Sequence, residues 1–260
     1  MPSKPHQLAT NMKLENKIIF ITGATKGIGF ELAKRLLAKN NTVIIGGRNQ
    51  KELDIIALEF DNIYTLHFDV LNNKSLSNIS RIIEQQFGRL EVLVNNAAVL
   101  NGGNFYETDY SFEKIETEIL TNIASPVKLI KSLLPLLSIQ KQSVIVNITS
   151  GVAYMPMPYL PVYSATKAAL QSFTYSLRAN LKNTNIKVFE ALPPLVATQM
   201  TENMKGKAKD MKKITPNDCA KQIINGIEKD NYTIHIGSSK SLFWGRRIFP
   251  KLVQTQLNKM

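Results

Sequence analysis

A glycine-rich segment near the start of the chain, Gly23-Ala24-Thr25-Lys26-Gly27-Ile28-Gly29, limits the possible folds more than any other feature. It directly follows an apolar run, residues 17–22, that is typical of a strand buried on both faces. Apolar residues at helical spacing follow over 30–39. Glycines in this context let backbone N–H groups and the positive end of a helix bind a pyrophosphate. The residues predicted to bind such a ligand here are Gly23, Thr25, Lys26, Gly27, Ile28 and Gly29.

The same alternation of strand and helix continues through the chain. Further strands are predicted over 42–45, 63–68, 91–94, 143–149, 186–192 and 232–236. Helices are predicted over 52–60, 75–87, 113–123, 127–137, 163–178 and 216–228, with a break at Ser125-Pro126. No internal repeat or low-complexity linker divides the chain, so we predict an α/β fold: a single Rossmann-like doubly wound domain with a parallel sheet of about seven strands and helices on both faces. We place this domain at 14–240, after a flexible N-terminus (1–13) and before a basic amphipathic C-terminal segment (241–260).

Composition favours a globular protein of the cytoplasm. Of the 260 residues, 44% are hydrophobic and 20% charged, which suits a sizeable core. The only cysteine, Cys219, allows no intramolecular disulfide and is predicted to be a small helix residue. Residues 1–13 lack the apolar core of a signal peptide, and no apolar run approaches the roughly 18 residues of a membrane span.

The formal net charge of +12 attracts phosphates but does not choose among a dinucleotide, a nucleic acid and a membrane surface. Nucleic-acid binding has no recognition motif in its favour, and we predict none. We also predict no metal site.

Tyr163 and Lys167 are four residues apart in a helical pattern, so their side chains share one helix face. A phenol normally titrates near pH 10 and needs a stabilised anion to exchange protons near neutrality, which an ammonium one turn away would supply. Ser150, thirteen residues upstream, follows a predicted strand and should lie at its carboxyl end. A plain helix surface pair is the alternative explanation for Tyr163 and Lys167, and the serine weighs against it.

The second strand ends at Gly46-Gly47-Arg48, where a dinucleotide site faces the adenosine ribose. No acidic residue stands there, and Arg48 together with Lys26 favours NADP(H) over NAD(H). Asp69 and Val70 close the third strand, where Asp69 either contacts an adenine or caps a helix with Asn72.

With these motifs in place, the sequence resembles the short-chain dehydrogenase/reductase family over about residues 16–236. The matching positions are Thr22-Gly23-x-x-x-Gly27-x-Gly29, Asn95-Asn96-Ala97-Ala98, Asn122, Ser150 and Tyr163-x-x-x-Lys167. The resemblance implies that Tyr163 is the general acid/base and that Lys167 lowers its pKa and binds the nicotinamide ribose. It further implies that Ser150 orients the substrate and that Asn122 holds a water in a proton relay. It adds Asn96, Ala97, Pro193, Val196 and Thr198 to the cofactor-binding residues, whereas Asn95 is at least as suited to a structural role.

One position departs from the family pattern, in which proline-glycine follows the sixth strand. Here the glycine is replaced by Pro194, which lacks an N–H donor, so one contact to the nicotinamide carboxamide is in doubt. Residues 189–201 and the Pro161-Val162-Tyr163 junction are similar to a bacterial subgroup named for the D-alanyl-lipoteichoic acid gene cluster.

We therefore expect hydride transfer between NADP(H) and a small carbonyl or alcohol substrate. The alternative is a non-catalytic NADP(H)-binding regulator or scaffold. The loop over 152–160 is rich in apolar residues, and the segment that carries methionines at 200, 204 and 211 would close as a lid. Both features suggest an apolar or amphipathic substrate, although packing explains these residues equally well. The resemblance implies a homodimer or homotetramer formed through the helices over 127–137 and 163–181. We expect the C-terminal segment to take part in a subunit contact. The alternative, which we favour less, is peripheral contact with an anionic membrane.

Overall fold

The computed structural model describes residues 12–103, 105–106, 110–202 and 212–257. Seven strands form one parallel sheet in the order β3-β2-β1-β4-β5-β6-β7. The strands are β1 (Ile18–Thr22), β2 (Thr42–Gly47), β3 (Ile63–His67), β4 (Val92–Asn95), β5 (Ser143–Ile148), β6 (Ile186–Leu192) and β7 (Thr233–His235). The helices are α1 (Gly27–Leu37), α2 (Gln50–Glu59), α3 (Asn73–Phe87), α4 (Phe112–Ile119), α5 (Ser125–Ser138), α6 (Pro161–Asn180), α7 (Gln199–Glu202), α8 (Pro216–Glu228), α9 (Ser239–Ile248) and α10 (Pro250–Leu257).

The core has two layers, one on each face of the sheet. Alternate residues of β1 face opposite sides, so Ile19 and Ile21 pack in the layer that contains residues of α1 and α8. Phe20 packs in the other layer, with α3 and α5. The prediction of a doubly wound parallel sheet is confirmed. Its strand order reverses between β1 and β4, and ligands of such sheets bind outside the carboxyl ends of the strands at this point.

The helical break predicted at Ser125-Pro126 is wrong. A π-helical turn, Leu120–Ala124, joins α4 to α5 in one continuous run from Phe112 to Ser138. Pro126 has no N–H to donate to the carbonyl four residues before it, and the wider π turn accommodates the proline without ending the helix. This run is long and apolar enough to span a membrane by length and composition, but Leu129, Leu133 and Leu136 on it are buried in the core.

The frayed N-terminus predicted for 1–13 needs correction at its end. Met12 and Leu14 are buried in the core layer that contains α1. The amide of Asn41 holds this segment by donating to the carbonyl oxygen of Leu14 at 2.9 Å. Residues 1–11 of the predicted segment lie outside the described residues.

Candidate active site

The glycine loop between β1 and α1 has the backbone that a phosphate site needs. Gly23 and Gly27 have φ of +63° and +62°, a region that L side chains rarely adopt. Lys26 precedes α1 and makes no side-chain capping bond, so no side chain at this position covers the first N–H groups of the helix. A Cβ on Gly29 would lie 2.5 Å from the side-chain nitrogen of Asn96. The loop therefore fits a pyrophosphate placed at the positive end of α1.

Asn96 and Thr22 hold this loop against the end of β4. The Asn96 amide donates to the carbonyl oxygens of Thr22 and Gly23 at 3.0 and 2.9 Å. The Thr22 hydroxyl accepts from the backbone N–H groups of Asn96 and Ala97, both at 3.1 Å. Neighbouring Asn95 has the structural role that we considered for it, because its amide donates to the Asn147 side-chain oxygen on β5 at 2.8 Å.

A cleft of about 810 Å³ runs along the carboxyl ends of the strands, from the glycine loop to α9. It brings most of the predicted residues together. Those in its wall are Gly23, Thr25, Lys26, Gly27, Ile28, Arg48, Val70, Asn96, Ala97, Ser150, Tyr163, Lys167, Pro193, Val196 and Thr198. Three predicted residues are not among its lining residues: Gly29, Asp69 and Asn122.

An acidic residue stands at the Arg48 end of the cleft, where we had expected none. The Glu52 carboxylate lies 3.6 Å from the Lys26 ammonium in a partly exposed ion pair, and both residues line the cleft. Hydrogen bonding by Thr25 lowers the pKa of Glu52, and the positive charge of Lys26 lowers this pKa further. The sequence at the end of β2 gives no sign of Glu52, which lies several residues further along the chain. Since Asn49 caps α2, Glu52 falls in the first helical turn, beside that strand end.

Asp69 does not cap the following helix. Asn72 does so, by accepting from the N–H groups of Lys74 and Ser75 at 2.9 and 3.2 Å. The Asp69 carboxylate accepts from Leu71 N–H at 2.9 Å. Its contact with an adenine remains a prediction.

Ser150, Tyr163 and Lys167 meet midway along the cleft. Ser150 follows β5 on extended backbone, and its hydroxyl accepts from Val152 N–H at 3.3 Å. Tyr163 lies in the first turn of α6 and lines the cleft together with Ser150. The Lys167 ammonium donates to the Ile148 carbonyl oxygen at 3.0 Å and lies 5.5 Å from the centroid of the Tyr163 ring. Tyr163 and Lys167 are only 9% and 3% exposed, so both are titratable groups with little access to water.

Burial dominates the electrostatics of this group. Burial raises the pKa of Tyr163 above its ordinary value, Glu118 raises this pKa further, and the Ser150 hydroxyl acts in the opposite direction. Burial also lowers the pKa of Lys167 from 10.5 to about 8, against the opposing effect of Glu118. The effect of Lys167 on the pKa of Tyr163, which the resemblance implied, remains a prediction.

Glu118 is the second acidic residue that the sequence analysis missed. It is fully buried at the end of α4. One carboxylate oxygen accepts from Asn101 N–H at 3.0 Å, and the other from the Tyr110 hydroxyl at 3.1 Å. Burial raises the pKa of Glu118, and burial together with Glu118 raises the pKa of Tyr110 to about 12. The sequence offered one signal, since Glu118 lies one helical turn before Asn122.

Asn122 lies in the π turn, behind the cleft. Its side chain accepts from Val99 N–H and donates to the Val99 carbonyl oxygen, both at 2.9 Å, and donates to the Thr166 hydroxyl at 3.2 Å. The side chain thus ties the loop after β4 to α6. The part that Asn122 would play in a proton relay remains a prediction.

Two backbone contacts hold the segment after β6, which contains Pro194. The Pro193 carbonyl oxygen accepts from Gly151 N–H at 2.9 Å, and Val196 pairs with Ile214 in a parallel bridge. Thr198 lies next to the glycine loop, 3.3 Å from the position of a Cβ on Gly27. Of the methionines predicted to form a lid, Met200 lines the cleft, while Met204 and Met211 lie outside the described residues.

The far end of the cleft is largely apolar. Its lining there comes from the loop between Ser150 and Tyr163 and from α9: Val152, Met155, Met157, Tyr159, Leu160 and Leu242. Tyr154, which we had placed in this lining, is not part of it. Its hydroxyl lies 3.2 Å from the Nε2 of His235, and its ring packs edge-on against Phe243.

Comparisons with known proteins agree with this geometry. The family model for short chain dehydrogenases matches residues 17–209. The oxidoreductase DltE of Bacillus subtilis (strain 168), described as uncharacterized, is 38% identical over 196 residues, which is 75% of this chain and 78% of the relative.

Among solved structures, a short chain dehydrogenase from Burkholderia cenocepacia J2315 in complex with NADP has a TM-score of 0.84 at 21% identity, over 95% of this chain and 99% of that one. A short chain dehydrogenase/reductase from Burkholderia phymatum in complex with NAD has a TM-score of 0.82 at 19% identity, over 94% of this chain and 96% of that one. At these identities the two structures support the fold. The family model, with the DltE relative, shows that the chain belongs to the short-chain dehydrogenase family of Rossmann-fold oxidoreductases.

Proposed function

We propose that the protein is an NADP(H)-dependent oxidoreductase that interconverts a carbonyl compound and its alcohol. The observation that carries the proposal is that Ser150, Tyr163 and Lys167 line the same cleft as the glycine loop. One end of the cleft offers backbone N–H groups to phosphates, and the other offers apolar side chains to a substrate. A proton-donating hydroxyl pair between them is the arrangement that carbonyl reduction requires.

The bound cofactor would supply or accept the hydride. The glycine loop and α1 would hold its pyrophosphate, and Arg48 and Lys26 would favour a 2′-phosphate on its adenosine ribose. Solved relatives of this fold bind NADP in one case and NAD in another, so the preference depends on residues of this chain. Glu52 acts against a 2′-phosphate by its charge, and its ion pair with Lys26 reduces that effect.

The residues of the chain would manage the proton. The Tyr163 hydroxyl would give its proton to the carbonyl oxygen as negative charge develops there, and would take it back in the reverse direction. Ser150 would hold that oxygen in place through its hydroxyl. Lys167, kept in position by the Ile148 carbonyl oxygen, would bind the nicotinamide ribose. The burial of Tyr163 and Lys167 favours proton transfer between positioned groups over exchange with water.

The substrate would be a small apolar or amphipathic molecule. The far end of the cleft is lined by aliphatic, methionine and aromatic side chains, among them Met155, Met157 and Leu160. Methionines adapt to irregular apolar shapes, which suits a flexible substrate.

We further propose that the protein works in the cytoplasm as a homodimer or homotetramer. Burial raises the pKa of Cys219 to about 12, which suits an inert core thiol in a reducing compartment. The faces of α5 and α6 are the proposed subunit contacts.

Replacement of Tyr163 by Phe tests the mechanism. The change removes one hydroxyl, so we expect NADPH binding to be kept and kcat to fall by about 10²- to 10⁴-fold over a panel of ketones and aldehydes. Tyr159→Phe is the matched control, because Tyr159 lines the same cleft. This variant should keep most of the turnover of the wild type. A Tyr163→Phe enzyme that keeps most of its activity would contradict the assigned role, and a wild-type protein that binds NADPH but turns over no carbonyl would indicate a non-catalytic binding protein.

A further inference from the structure

The helix α9 forms part of the wall at the substrate end of the cleft, and α10 packs against residues that line it. Leu242 on α9 lines the cleft, and Val253 on α10 packs against the apolar cluster that contains Met157, Leu160 and Tyr163. The Arg246 guanidinium donates to the Tyr154 carbonyl oxygen at 2.7 Å and so attaches α9 to the loop between Ser150 and Tyr163. The inner side of these helices is therefore part of the candidate active site.

The outer side of the same helices combines exposed apolar side chains with cations. The exposed fractions of Trp244 and Leu252 are 49% and 61%, and Ile248 and Phe249 lie between these values. Lys240, Arg247 and Lys251 are exposed on the same two helices. Residues 240–257 contain no aspartate or glutamate. We call the set Lys240, Trp244, Arg247, Ile248, Phe249, Lys251 and Leu252 the outer α9–α10 surface.

The charge of this surface argues against its pairing with a second copy of itself. A two-fold contact would bring the three cations of one copy against the same three cations of the other, with no carboxylate in the segment to compensate them. Anionic lipid headgroups are complementary to this combination, since they attract the cations while large apolar and aromatic side chains enter the interface.

We propose that the outer α9–α10 surface docks on an anionic lipid bilayer. Docking there brings the apolar end of the cleft close to the membrane, because α9 forms part of its wall and α10 packs against residues that line it. If the proposed function holds, the substrate class becomes an amphipathic carbonyl or alcohol that partitions into lipid. The docking itself does not depend on catalysis, so its test can fail or succeed separately.

The chain contains a single tryptophan, Trp244, and it lies on this surface. Tryptophan emission therefore reports on the proposed contact alone. With vesicles of phosphatidylcholine and phosphatidylglycerol we expect a blue shift, and quenching when the lipid carries brominated acyl chains. Vesicles of phosphatidylcholine alone should give neither, because they offer no negative charge.

A pair of double variants separates local contact from overall charge. Arg247→Glu/Lys251→Glu alters the surface but leaves the Arg246 contact intact, and it should weaken partitioning to the anionic vesicles by about 30-fold or more. Lys74→Glu/Arg81→Glu changes two exposed residues of α3 by the same charge and should keep binding. Unchanged NADPH binding by both variants shows that the fold is kept.

Three results would overturn the proposal. The first is Trp244 emission that is insensitive to anionic vesicles. The second is an equal loss of binding in both double variants, which would mean that only net charge matters. The third is a combination of two observations: the wild type does not bind vesicles, and Arg247→Glu/Lys251→Glu dissociates an oligomer in sedimentation velocity. This result would assign the surface to a subunit contact.

Discussion

Replacement of Gly29 by Ala tests whether the packing of the glycine loop is as close as the structure has it. In an open helical position this change stabilises a protein by about 1 kcal/mol, because alanine is the better helix former. Gly29 lies in the first turn of α1 and has no positive φ. Without close neighbours the change would therefore increase the free energy of unfolding.

The neighbours reverse this sign. The new Cβ would lie 2.5 Å from the Asn96 side-chain nitrogen and 2.8 Å from the Gly23 carbonyl oxygen, closer than real Cβ contacts. Overpacking of this kind costs about 1–3 kcal/mol. Displacing the Asn96 amide also breaks its hydrogen bonds to the Thr22 and Gly23 carbonyl oxygens, each worth about 0.5–1.5 kcal/mol. Set against the helix gain of about 1 kcal/mol, the expected net loss is about 3 kcal/mol.

Urea unfolding and NADPH titration measure the two consequences. The loss corresponds to a decrease in Tm of roughly 6–12 °C, and NADPH binding should weaken because the loop that holds the pyrophosphate moves. Gly88→Ala is the control: Gly88 has φ of +71° but nothing within 4 Å of its Cβ position, so only about 1 kcal/mol should be lost, with binding unchanged. A Gly29→Ala protein that is as stable as the wild type and binds NADPH equally well would refute the reasoning.

Three further predictions concern charges in the cleft or buried next to it. Glu52→Gln removes the carboxylate beside Lys26, so the ratio of NADPH to NADH affinity should rise; an unchanged ratio in parallel titrations would place Glu52 away from the cofactor. Because the pKa of Lys167 is about 8, NADPH binding should weaken as pH rises through that value and the ammonium loses its proton. Unfolding does not explain this loss of binding. The pKa of Lys167 in the unfolded chain is near 10.5, so this group increases the free energy of unfolding as pH rises from 8 to 10.5. Glu118→Gln should move that decline to lower pH, because the buried charge raises the pKa of both Lys167 and Tyr163, whereas a merely structural Glu118 would lower affinity without moving the midpoint.

The fold was predictable because local pattern and global topology agree. The residues of β1 and β5 are buried along their whole length, which is what their continuous apolar runs indicate. The meeting of Ser150 and Tyr163 followed from the same logic, since a strand end and a helix start were both expected at the carboxyl edge of one sheet.

The features that escaped prediction depend on contacts distant in sequence. Glu118 looks like an ordinary polar residue of an amphipathic helix until Asn101 and Tyr110 close over it. The pKa of Lys167 depends on how far its ammonium is removed from water, and spacing alone does not report burial. Pro126 indicated a break because its missing N–H normally ends a helix, and the π turn that accommodates it has no comparable sequence signal.

The most direct test of the central claim is a titration of the purified protein with NADPH and with NADH, followed through nicotinamide fluorescence. We expect saturable binding of both, tighter for NADPH, and a selective loss of NADPH affinity in Arg48→Asp, because Arg48 lies at the end of the cleft assigned to the 2′-phosphate. If the folded wild-type protein binds neither nucleotide, the cleft is not a nicotinamide cofactor site and the proposed oxidoreductase function is wrong.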